Sequence, residues 1–177
     1  KKQIVVSRSF GQRISNLKEL RPIVSNFAVR AAEKLRNERQ KCSQVSVFVR
    51  TSPFNRNKPQ HSDLKTIELF TPTNDTRDIL AAAKKGLLSI FRSGYDYAKA
   101  GIILNKFSDE KTKQYSLFKD PNEPKQNMRL MKYLDQMNNY ETQIYYASQN
   151  TKKWSPMKQN MTSPKYTTNW YELPKVN

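Results

Sequence analysis

The side chains able to do chemistry in this chain are few, and their spacing excludes more than it offers. The 15 Asp and Glu residues are scattered. Asp109-Glu110 are adjacent and Asp75 and Asp78 fall at a helix start, none with the spacing that holds two metal ions for phosphoryl chemistry. The single cysteine, Cys42, can close no internal disulfide and supplies no cysteine-based zinc site, which fits a reducing, cytoplasmic compartment. The single histidine, His61, lies in a polar stretch between two strand-like segments and is expected to be solvated, with no neighbours that would make it a ligand. Only 4 glycines are present, and they form no phosphate-cradling loop. No catalytic residue, metal site or cofactor is therefore expected here.

What the chain does carry is positive charge: 32 Lys and Arg, net +17. Residues 1–107 hold 21 basic and 8 acidic residues, and residues 108–177 hold 11 and 7, so the first segment is the electrostatic one. Such an excess points to a polyanionic partner. No apolar run approaches the roughly 18 residues that span a bilayer. Lys1-Lys2 is followed only by the short strand-like Gln3–Val6, so no secretory leader is expected. The start without methionine suits a piece of a longer chain.

The elements that would position these charges follow from periodicity. Residues 3–10 read as a β-branched strand ended by Gly11. From Arg21 to Arg39, Ile23, Val24, Phe27, Ala28, Ala31 and Leu35 recur at helical spacing, with Pro22 suited to the first turn. Residues 42–50 alternate, Val45, Val47 and Val49 against Gln44, Ser46, Phe48 and Arg50. Leu64–Phe70 reads as a third strand. Asn74 or Asp75 caps a helix bearing Ile79, Leu80, Ala83, Leu87, Ile90 and Phe91, with Gly94 just past its end. Tyr97–Phe107 is the fourth strand. The order β-α-β-β-α-β defines an α+β, ferredoxin-like domain: a four-stranded sheet with two helices on one face and the other face bare. Residues 108–126 are polar and read as a linker; 127–140 read as a short helix, 143–147 as a strand, and the last 28 residues as largely irregular.

Several stretches carry a family resemblance. Ser7-Arg-Ser-Phe-Gly-Gln-Arg13, residues 43–54 ending Val-Arg-Thr-Ser-Pro-Phe, Thr71-Pro-Thr-Asn-Asp-Thr-Arg-Asp78, Asp96–Leu104 and Ser163-Pro-Lys-Tyr-Thr-Thr168, with Trp154 and Met157 upstream, are similar, in order, to the C-terminal part of UmuC-type Y-family translesion DNA polymerases. The resemblance implies a DNA-gripping little-finger domain over residues 1–107, a linker over 108–126 and a UmuC-type extension over 127–177. It implies phosphate contacts for Arg8, Ser9, Gly11 and Arg13 on the first strand, Arg50 and Thr51 on the second, and Lys99 on the fourth. Ile103 stands where some relatives carry a second basic residue, so the fourth strand would grip less tightly.

Gln114-Tyr-Ser-Leu-Phe118 resembles the Gln-x-x-Leu-Phe peptide that docks bacterial polymerases on the sliding clamp, with Gln114 hydrogen-bonding and Leu117 and Phe118 filling an apolar pocket. The resemblance further implies primer-template DNA, a processed UmuD-type dimer and the RecA filament as partners, and places the catalytic carboxylates with their Mg2+ in a palm domain upstream of Lys1. Two other readings stay open on the residues alone. RNA-recognition modules share this element order but need stacking aromatics on the central strands; the second strand offers Phe48, and the central apolar run of the fourth strand lacks a ring. A purely protein-interaction domain would bind DNA weakly and without salt sensitivity.

Overall fold

The computed structural model describes residues 2–55, 57–111, 123–139, 144–149 and 162–173. Its elements run β1 (Ile4–Ile14), α1 (Leu17–Asn37), β2 (Gln40–Thr51), β3 (Ser62–Thr73), α2 (Thr76–Ile90), β4 (Tyr97–Asp109) and α3 (Glu123–Asn139), with a 3-10 turn at Trp170–Glu172. The four strands form one antiparallel sheet in the order β1-β4-β2-β3. This is the expected β-α-β-β-α-β arrangement.

Alternation decides which face is covered. Val45, Val47 and Val49 of β2 stand opposite Leu104, Ile102 and Ala100 of β4, and all six are fully buried. Leu20, Phe27 and Leu35 of α1 and Ile79 and Leu87 of α2 close over them in one core cluster. Period two on the strands and period 3.6 on the helices thus meet in a single apolar layer.

The element boundaries moved for identifiable reasons. Helix α1 begins at Leu17, four residues before the expected start, because the Asn16 side chain accepts from the Lys18 amide at 2.8 Å and caps it there. Pro22 therefore sits in the second turn, not the first. β1 does not stop at Gly11; it continues to Ile14 through an irregular stretch in which five residues from Ser9 answer two on β4. β3 breaks register in the same way between Thr73 and Glu68, where five residues answer two on β2, and Pro72 falls inside that break, where no ladder donor is required. Helix α3 starts at Glu123 rather than 127. Residues 144–149 contain turns and no strand: the Gln149 amide donates to Tyr146 O at 2.8 Å, closing the chain on itself.

The third helix is fastened to the first two. Arg36 of α1 is 8% exposed at its side chain, and its fork grips both oxygens of Asp135 on α3 at 2.6 Å each. The remaining guanidinium nitrogen donates at 2.8 Å to Asn74 O and to Thr76 Oγ1 at the entry to α2. Met131, one turn before Asp135, is buried, and the Tyr146 hydroxyl donates to its sulfur at 3.4 Å. Burial raises the Tyr146 phenol above its ordinary pKa.

Candidate nucleic-acid interface

The sheet face opposite the helices is built of cross-strand rows fixed by register. Ser9, Lys99 and Arg50 stand side by side across β1, β4 and β2, and Ser62 of β3 completes the row. The next row is Ser7, Gly101, Phe48 and Leu64, followed by Val5, Ile103, Ser46 and Thr66. Neither Arg50 nor Lys99 has an ion-pair partner among the described residues. At the far end Glu68 is held by Gln44 at 2.8 Å and Lys106 at 3.2 Å, and those hydrogen bonds, Gln44's first, lower its carboxyl pKa. The face is basic at one end, apolar in the middle and charge-balanced at the other.

The middle is flattened by a glycine. A Cβ on Gly101 would lie 2.4 Å from Ser7 Cβ and 2.6 Å from Phe48 Cε1, so the Phe48 ring lies down across β4 at this point. A side chain standing up here would hold an extended ligand off the strand.

The residues singled out in the sequence divide. Ser9, Lys99 and Arg50 come together. Arg8 is exposed but pairs with Ala100, so register turns it to the helix side of the edge strand. Gly11 and Arg13 fall in the irregular stretch of β1, Arg13 exposed. Thr51 departs from expectation: it is 7% exposed, its hydroxyl accepts from the His61 amide at 3.0 Å and its own amide donates to His61 O. It closes the β2–β3 loop and is not on the open face. Ile103 lies on that face, half-buried, between Val5 and Ser46 in its apolar middle. Gln114, Leu117 and Phe118 lie outside the described residues.

His61 also departs from expectation. Its side chain is 9% exposed, Nδ1 is 3.1 Å from Tyr97 Oη, and its ring lies 4.9 Å from that of Tyr95. The cause is the buried Tyr97 hydroxyl, which accepts from the Arg92 amide at 3.0 Å and has room for one more polar neighbour. The histidine, with Thr51 and Tyr97, braces the end of the sheet that carries Arg50 and Lys99. Alternation along 42–50 already sets Phe48 beside Arg50, while Ser7 joins the face through its pairing with Gly101, which the linear sequence does not supply. Among the described residues no group of three His, Cys, Asp or Glu side chains could hold a metal ion, and no helix is long and apolar enough to cross a membrane.

These features define an α+β domain with a helix-covered core and an open sheet face basic at one end. Residues 1–117 match the impB/mucB/samB family C-terminal domain, and the chain belongs to that family. Residues 128–176 match a second model, a domain of unknown function. The chain is 43% identical to Protein UmuC of Salmonella typhimurium over 99% of its own length and 42% of that protein's. It is 42% identical to Protein SamB of Salmonella typhimurium and 43% identical to Protein MucB of Escherichia coli, in each case over 98% of this chain and 41% of the relative. The UmuC-type resemblance is thereby established, and the chain spans about two fifths of the length of these relatives. A chain in the solved complex of β-clamp processivity factor and little finger domain of PolIV aligns with 66% of this chain and 99% of its own length, at a TM-score of 0.42 and 15% identity.

Proposed function

We propose that this chain is the DNA-gripping and partner-docking C-terminal region of an error-prone translesion DNA polymerase acting in the SOS response, with its open sheet face against the primer-template backbone in the major groove. The observation that carries the reading is the row Ser9–Lys99–Arg50, a hydroxyl and two cations side by side on a sheet face that no described helix covers, neither cation having an ion-pair partner among the described residues. Strand hydroxyls approach phosphates closely, and each neutralised phosphate releases counterions. Such contacts position a protein without reading bases, which suits a damaged and arbitrary template. Arg8, Gly11 and Arg13 extend the grip along the β1 edge. Gln114, Leu117 and Phe118 would dock the chain on a sliding clamp; a processed UmuD-type dimer and the RecA filament would be further partners. Nucleotide transfer, with its Mg2+ ions, belongs in this reading to a palm domain and not to these residues.

A titration of the chain with primer-template duplex at several salt concentrations tests the grip. Arg50→Ala with Lys99→Ala is expected to weaken binding evenly across sequences and to reduce the salt slope by about 2. An unchanged slope would remove the row from the interface. A parallel measurement with bacterial sliding clamp, using Leu117→Ala with Phe118→Ala, is expected to abolish clamp binding without changing the DNA titration.

A further inference from the structure

Helix α3 reaches the core by a narrow contact. Among its described side chains Met131 alone is buried, while Leu130, Tyr133 and Met137 are 44%, 65% and 46% exposed. Among the described residues its polar contact with the sheet-bearing domain, the Arg36–Asp135 pair, lies at the junction of α1 with the start of α2. Here the receiving side is already built without α3. The Asn74 carbonyl and Thr76 hydroxyl fix one edge of the Arg36 guanidinium, and the Asn74 side chain donates to Glu110 Oε1 at 3.2 Å, tying the junction to the exit of β4. A planar fork held on one edge presents its other edge to a carboxylate in a single orientation. A few residues on, Gln149 Nε2 donates to Asn26 Oδ1 at 3.0 Å while its Oε1 accepts from the Tyr146 amide, giving α1 a second hold on the arriving segment.

We propose that this junction is a preformed carboxylate socket and that the described residues 131–138 and 144–149 carry its ligand groups. The ligand is a helix of the form Met-x-x-x-Asp followed by a tyrosine-bearing turn, seated in cis and replaceable by the same segment supplied in trans. The first part of the segment matched to a domain of unknown function thereby gains a role: it docks onto the preceding domain through Arg36 on the helical side. An arm whose described anchors are one ion pair, one buried methionine and the Gln149–Asn26 hydrogen bond opens as a unit separate from the sheet.

The test uses the full chain carrying Asp135→Ala, which removes the carboxylate without lowering helix propensity. Hydrogen exchange of the α3 amides is expected to accelerate at least about tenfold while β2 and β4 amides keep their protection. A labelled synthetic peptide of residues 123–149 is then expected to bind the Asp135→Ala chain, to bind the unaltered chain far more weakly because its socket is filled, and to lose binding when the peptide itself carries Asp135→Ala. Arg36→Lys, which keeps the charge and loses the fork, is expected to abolish peptide capture. Protected α3 amides in the Asp135→Ala chain would overturn the proposal, as would α3 exchange that tracks the sheet in the unaltered chain. Failure of the peptide to bind the Asp135→Ala chain would overturn it equally.

Discussion

Gly101 is where a single missing carbon matters most. With Ser7 Cβ 2.4 Å and Phe48 Cε1 2.6 Å from the place a Cβ would occupy, Gly101→Ala must part β1 from β4 or lift the Phe48 ring. Overfilling of this kind costs about 3 kcal/mol, to be read as a lowered denaturation midpoint in urea. Cys42 gives a pH-dependent prediction. Burial pushes its thiol up to about 12 from an ordinary 9.0. The unfolded thiol ionises first, so the stabilising difference is complete below about pH 9 and lost as pH rises toward 12. Cys42→Ala is expected to flatten that alkaline decline relative to the unaltered chain, measured as unfolding free energy against pH. At this scale the sequence was an uneven guide. Arg50 falls on the outward phase of the 42–50 alternation and Lys99 was offered by the family resemblance alone, whereas His61 was misread as solvated: its partner Tyr97 is 36 residues away and no local pattern links them. The Arg36–Asp135 pair spans 99 residues and left no signal at all.

Helices and strands were read more reliably than single side chains, because each rests on a repeated pattern. The three buried valines of β2 and the apolar stripe of α2 were enough to fix type and facing. Boundaries failed where one polar contact outweighed periodicity. Asn16 starts α1 before its first buried residue, Leu20, so an apolar count begins too late. Asn16→Ala is expected to cost about 1 kcal/mol in thermal unfolding, and Asn16→Gly only a few tenths. The register breaks in β1 and β3 were equally hidden. Gly11 read as a strand end because an isolated glycine signals either an end or an irregularity, and pairing with β4 decides between them.

The molecule as a whole separates its faces: helices, the docked arm and the core lie on one side, and the row of Ser9, Lys99 and Arg50 on the other. That division was foreshadowed by the charge excess over residues 1–107, although composition alone could not say which side the cations share. The two outer strands carry a different consequence. Among the described residues β1 and β3 are the margins of the sheet, and each is interrupted by three surplus residues, with Pro72 in one of the breaks. A straight margin offers its unused amides and carbonyls to a neighbouring chain, and copies crowded along one polyanion would then zip together into a growing ribbon. These interruptions leave no long template for such growth, so crowding of copies is kept from becoming aggregation.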